Sequence, residues 1–192
     1  MNQLTVSEAV LSRRSIRAFK PDAVPLDVLH RVMDMARWAP SGCNFQPWEA
    51  TILTGEPLAE LQKKMLASPM QDPPEYSWSE PEVIPECKAR LQQVGASMYQ
   101  AMGIGMGSPQ WSDVGMWLQT IMLLLRGEGL DTCPQEFLAM HAKLIKEFIG
   151  VSDETHIFFC GIAIGYRDEE AAVNAFERQR EPVEGNVRFM GF

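Results

Sequence analysis

Two short arginine clusters carry the strongest chemical signal in this sequence. Arg13, Arg14 and Arg17 fall in SRRSIRAF, residues 12–19, and Arg178 and Arg180 fall in FERQREP, residues 176–182. The planar guanidinium fork meets phosphate oxygens in pairs, so two such clusters suit two sides of one phosphate group. Arginines at a helix end also fit a solvated basic turn, where cations favour the helix dipole. Both readings stand on these residues alone. The chain as a whole is acidic, with 17 Lys and Arg against 25 Asp and Glu and a formal net charge of -8. Bulk attraction to nucleic acid or to an anionic membrane surface is disfavoured, so an anion bound here must be small and held locally.

Other chemistries find less support. Cysteines at 43, 87, 133 and 160 lack CxxC spacing, and His30, His141 and His156 are scattered. Neither a zinc site nor a disulfide framework is expected. Gly103, Gly105 and Gly107 alternate, but no strand precedes them as a dinucleotide fingerprint requires. The apolar run VGMWLQTIMLLL, residues 114–125, is too short to span a bilayer and is interrupted by Gln119. The opening MNQLTVSEAV lacks a basic segment followed by an apolar run. A cytoplasmic protein with reduced cysteines is expected.

The elements that must position the arginines can be read from spacing. A chain of 192 residues suits one domain. Thr5 and Glu8 form a capping box that starts a helix running to about Arg13. Leu29, Val32, Met33 and Ala36 predict a helix over 26–37, which ends before the loop APSGCNFQPW, residues 39–48. EATILTG, residues 49–55, predicts a strand, and residues 57–67 a short helix. Residues 69–85 hold five prolines with Tyr76 and Trp78, which fits a lid or an ordinary surface excursion. A helix over 86–102 follows. Ser112 is placed as the cap of a central core helix over 113–128, closed by Gly129. LDTC, residues 130–133, predicts a short strand, residues 136–148 an amphipathic helix stopped by Gly150, and HIFFCGIAIGY, residues 156–166, a buried strand. VRFMGF at the end predicts a tail that docks, with another subunit as one candidate. The mix is α+β, without regular strand–helix alternation.

Taken in order, RRSIRAF, APSGCNFQPW, GLDTCPQEF, GIAIGY and FERQREP resemble the FMN-dependent nitroreductase family over nearly the whole chain. The resemblance implies an α+β nitroreductase-like fold with a central, mostly antiparallel sheet flanked by helices. It implies an intertwined homodimer with FMN at the interface. Residues 1–192 would form one domain, with 68–110 as a variable substrate region and 167–192 as a C-terminal extension. By the same resemblance, Arg13, Arg14 and Ser15 hold the FMN phosphate and ribityl chain, and Arg178 and Arg180 reach the phosphate from the other side. Arg17 falls close to flavin N1 and O2, where reduced flavin carries its negative charge. Pro40, Ser41, Gly42 and Asn44 of the partner subunit cover the isoalloxazine ring. Pro134, Gln135 and Glu136 line the opposite face, with a backbone N–H near Glu136 meeting flavin N5.

Plainer roles stand beside these. Pro40 and Gly42 also fit a simple turn, and Glu136 a helix N-terminal carboxylate. Asp113 is read as a capping residue rather than a neighbour of the flavin pyrimidine. Met98, Met102 and Met106 are read as packing rather than substrate contacts. Cys43 occupies a variable position and is expected to be inert, and Phe137 stands where many relatives have glycine.

The implied activity is a two-step, ping-pong exchange in which NADH or NADPH passes hydride to flavin N5 and a nitroaromatic or quinone-type acceptor then takes the electrons. No side chain is required as a general acid, so no catalytic residue is expected beyond the flavin. Two alternatives remain. One is a reductive dehalogenase of halogenated aromatics, for which the lid offers Glu75, Tyr76 and Lys88 at spacing that does not match. The other is a flavin-binding protein without turnover.

Overall fold

The computed structural model of the chain describes residues 4–70, 110–175, 180, 183 and 188–191. The first helix, α1 (Val6–Ser12), begins with the expected capping box. Thr5 Oγ1 accepts from the Glu8 amide at 3.2 Å, and the Thr5 amide donates to Glu8 Oε2 at 2.7 Å. Those bonds hold the Glu8 carboxyl below its ordinary range. At Arg13 the backbone turns extended, so the arginine segment leaves the helix as an open strand-like stretch.

Helix α2 (Leu26–Ala36) buries Val32 and Ala36, and α3 (Gly55–Ala67) buries Leu61. The core helix is α4 (Gln110–Gly127). Its Trp117, Ile121 and Leu125 recur every four residues and pack with Val32, Ala36, Ala39 and Leu130. This helix starts three residues before the expected Asp113. Ser112 therefore lies inside the first turn and is no cap. Past its end, Gly129 takes φ +82, a left-handed conformation glycine adopts without strain, and the Leu130 amide returns to the Leu125 carbonyl at 2.9 Å.

Strand β1 (Asp131–Gln135) pairs antiparallel with β2 (Gly161–Gly165), in register from Asp131 opposite Gly165 to Gln135 opposite Gly161. Between them lie a 3-10 turn (Glu136–His141) and α5 (Ala142–Ile149), which Gly150 closes at φ 75. The α+β class agrees with the expectation from sequence.

Three expected elements differ. Residues 49–54 join no ladder among the described residues, because nothing in the described chain pairs beside them. HIFFC, residues 156–160, stays outside β2 because β1 is five residues long and pairing stops at Gly161. The single helix expected over 136–148 is split into the 3-10 turn and α5. The expected helix over 86–102, Met98, Met102, Met106 and the lid residues 71–85, with Glu75, Tyr76 and Lys88, lie outside the described residues.

Side-chain pins hold the approach to β2. Lys146, almost fully buried, donates to the His156 carbonyl at 2.9 Å and pairs with Asp153 at 2.7 Å. His156 in turn meets Glu49 at 2.9 Å. At the far end of β2, a Cβ on Gly165 would stand 2.9 Å from the Phe19 ring. Glycine there lets the segment after the arginines lie against the strand.

Candidate functional site

The arginine segment is fastened to β1 on one side and to the C-terminal stretch on the other. The Ile16 amide donates to the Thr132 carbonyl at 3.0 Å, and Ser15 forms a parallel bridge with Thr132. Farther on, the Lys20 amide donates to the Tyr166 carbonyl at 2.8 Å and the Asp168 amide to the Ala18 carbonyl at 3.1 Å. Extended backbone sends successive side chains to opposite faces. Ile16 is accordingly buried and Arg17 exposed.

Asn174 ties the two sides together. Its Oδ1 accepts from the Arg17 amide at 2.9 Å and the Ala18 amide at 3.3 Å. Its Nδ2 donates to the Ala18 and Asp168 carbonyls, both at 2.8 Å. Only an amide side chain accepts twice and donates twice in this way. Asn174 is four residues before Arg178, which is at most about 14 Å of chain. The backbone next to one arginine cluster is therefore joined to the segment that leads into the other. Arg178 itself lies outside the described residues, and Arg180 is exposed. Sequence reasoning missed Asn174. Its only signal was a lone uncharged amide in the tail just before RQR.

Beneath the segment sits a buried charge cluster that was also missed. Asp131, 4% exposed, accepts from Arg167 Nε and Nη2 at 3.1 and 2.8 Å and from Arg126 at 3.3 Å. Arg126 also reaches Ser12 Oγ at 3.3 Å, holding the end of α1. The Asp131 carboxylate pushes the Arg167 pKa up.

Arg17 differs from these partnered arginines. Among the described residues its guanidinium meets only its own Ser15 carbonyl, at 3.5 Å, and the Ser15 hydroxyl takes no hydrogen bond. An exposed cation without a carboxylate partner, beside an open hydroxyl, in a chain of net charge -8, fits an anionic ligand. A flavin phosphate and its polyol meet that requirement.

The APSG loop is anchored separately, on α4. Asp113, 1% exposed, accepts on Oδ2 from Ser41 Oγ at 3.1 Å and from the Gly42 amide at 3.0 Å. Ser41 Oγ in turn accepts from the Gln46 amide at 2.8 Å. The capping role expected for Asp113 is therefore overturned: its bonds leave the helix for the loop. Within the loop, Gly42–Asn44 forms a 3-10 turn, and Asn44 and Gln46 take φ 57 and 47. Pro40 and Asn44 are exposed, while Ser41 and Gly42 are half-buried. Trp48 stacks on Trp117, ring centroids 5.6 Å apart, and fixes the loop's exit to the core.

At the end of β1, Pro134 and Gln135 are half-buried and Glu136 and Phe137 exposed. Glu136 opens the 3-10 turn rather than an α-helix. Burial, and secondarily the Glu136 carboxylate, push the nearby Cys160 thiol up to about 11. It stays protonated at neutral pH and is a poor nucleophile there.

The nitroreductase family model matches residues 10–82 and 99–166, leaving the second arginine cluster beyond the matched segments. Over 95% of this chain and 94% of the relative, the sequence is 34% identical to a 4-nitrobenzoate reductase of Pseudomonas putida. It is 26% identical to nitroreductase NfnB of Mycolicibacterium smegmatis, covering 94% of this chain and 90% of that one. The crystal structure of the FMN and NADPH-dependent nitroreductase NfnB from sphigopyxis sp. strain HMH superposes with a TM-score of 0.78 at 34% identity, covering 98% of this chain and all of that one.

Proposed function

This chain belongs to the nitroreductase family, and from that premise we propose that it is an FMN-dependent NAD(P)H oxidoreductase acting on nitroaromatic or quinone-type acceptors, nitrobenzoates first among them. The observation that carries the reading is the Arg17–Ser15 segment, with no carboxylate at Arg17 among the described residues and joined by Asn174 to the stretch leading into RQR. Similarity to a 4-nitrobenzoate reductase supports a nitrobenzoate acceptor.

In this reading Arg13, Arg14 and Ser15 hold the FMN phosphate and ribityl chain, with Arg178 and Arg180 on the far side. FMN, when bound, would supply the two-electron chemistry between NADH or NADPH and the acceptor. Arg17 keeps a positive charge at the N1 and O2 edge, where negative charge collects on reduction. Its backbone is set in advance by Asn174, so little reorganisation accompanies that charge. Pro134, Gln135 and Glu136 line one face of the ring, and Pro40, Ser41, Gly42 and Asn44 of the partner subunit cover the other.

The homodimer is part of the same proposal. Large apolar side chains stand in solvent on a single subunit: Val6 and Trp38 are each 77% exposed and Leu66 is 90% exposed. Residues 49–54, mostly exposed, have no strand beside them among the described residues. A second copy would cover such surface. No helix among the described residues is long and apolar enough to cross a membrane. A cytoplasmic location, which suits the free thiols of Cys133 and Cys160, completes the reading.

Steady-state oxidation of NADPH and of NADH on adding 4-nitrobenzoate tests the activity. Saturable, acceptor-dependent consumption is expected with at least one donor. A flavin-loaded protein that oxidises neither donor with any nitroaromatic or quinone would be a flavin-binding protein without turnover.

A further inference from the structure

The loop Ser41–Gln46 holds a conformation it would not take alone. Left-handed φ values at Asn44 and Gln46 are unfavourable for residues with a Cβ, more so for glutamine than for asparagine. Strain of this kind persists only where surroundings impose it, and it gathers at ligand clamps. Besides the bonds within the loop and the Trp48 stack at its exit, the polar anchor from outside is one carboxylate oxygen. Asp113 Oδ2 receives the Ser41 hydroxyl and the Gly42 amide, and the Ser41 oxygen relays to the Gln46 amide. A single atom thereby fixes both ends of the arc.

The first turn of α4 favours a carboxylate electrostatically, but that alone does not require the hydrogen bonds Asp113 makes. Its side chain is buried in the first turn and, among the described residues, pairs with no cation and bonds to nothing in its own helix. A buried carboxylate is costly unless its oxygens are well bonded. Its two bonds both go to the loop that carries Pro40, Ser41, Gly42 and Asn44.

We propose that Asp113 is the positioning residue of the flavin-covering loop, setting Ser41 and Gly42 for the bound ring through hydrogen bonds to Oδ2. The inference rests on the reading above that this loop lies over FMN. Because both bonds converge on one oxygen, geometry matters here and charge does not. An asparagine with its carbonyl oxygen in the same place accepts both.

The test is FMN titration of the apoprotein for wild type, Asp113→Asn and Asp113→Ala. Flavin fluorescence quenching gives affinity, visible circular dichroism reports the ring's surroundings, and the apoprotein melting temperature is measured alongside. Asp113→Ala is expected to weaken FMN binding roughly tenfold or more and to alter the dichroism of the bound flavin, whereas Asp113→Asn stays within about threefold of wild type. Asp113→Leu, similar in volume and lacking an acceptor, serves if the alanine variant does not fold. An alanine or leucine variant with wild-type affinity and dichroism, even one that melts earlier, makes Asp113 a fold strut and overturns the inference. Equal losses in the asparagine and alanine variants also overturn it, because charge would then be the operative property. A wild-type protein that takes up no FMN fails at the functional reading instead.

Discussion

Asn174→Ala is expected to melt roughly 10 °C below wild type and to lose most of its affinity for FMN. The amide of Asn174 satisfies the backbone N–H groups of Arg17 and Ala18 and the carbonyls of Ala18 and Asp168. Each buried backbone group left unsatisfied costs about 1–3 kcal/mol, and water entering the gap recovers part of it. Because the Asp168 amide still reaches the Ala18 carbonyl, a net loss of about 3 kcal/mol follows. The binding loss has a separate origin. Once the seam opens, the backbone at Arg17 is no longer placed relative to the chain entering RQR, and one phosphate no longer engages both clusters. Asn174→Asp sharpens the test, because a carboxylate accepts the two amides but points an oxygen at two carbonyls. It is expected to fail nearly as badly as alanine. A thermal melt and an FMN titration on both variants check this; an alanine variant within about 1 °C of wild type contradicts it.

The second large effect is at Asp131. Asp131→Ala removes the only carboxylate within salt-bridge distance of Arg126 and Arg167 among the described residues, while leaving both guanidinium groups in place. Breaking a buried pair from one side costs about 3–5 kcal/mol, since the remaining charge is uncompensated. Here the arginines are 22% and 25% exposed and partly resolvated, so the lower end, about 3 kcal/mol, is expected. In urea that is a midpoint lower by roughly 1 M. The effect should persist at high salt, because Asp131 is shielded from ions. The exposed pair between Arg31 and Glu128 should weaken under the same conditions. Loss of stability that disappears in 1 M salt would place Asp131 among surface pairs and contradict its role under the arginine segment.

What the sequence disclosed and what it hid divide along the range of the forces involved. The capping box at Thr5 and Glu8, the periodic apolar face of α2, the apolar run of α4 and the stop at Gly150 are decided within a few residues, and all are seen in the structure. The strand expected over 49–55 is not seen among the described residues, because a strand-like composition does not say what pairs with it. HIFFC failed likewise, since the length of β1 sets where pairing stops.

The site was legible as a set of residue types and illegible as a mechanism of support. Arg17 and Ser15 could be picked out, but the residue that places the Arg17 backbone is Asn174, 157 positions away. Asp113 invited a capping assignment because it stands just after Ser112 at the head of an apolar run. Its true partner, Ser41, is 72 positions away. Neither contact leaves a local trace, and both depend on elements packing first.

The reading as a whole depends on the arginine segment holding a flavin phosphate. The most direct measurement is to purify the protein without added cofactor, record its visible spectrum, then denature it and identify the released chromophore. A yellow protein that releases FMN, about one for each subunit, is the expected result. A colourless protein that also fails to take up added FMN would return Arg13, Arg14 and Arg17 to a solvated turn and contradict the proposed function.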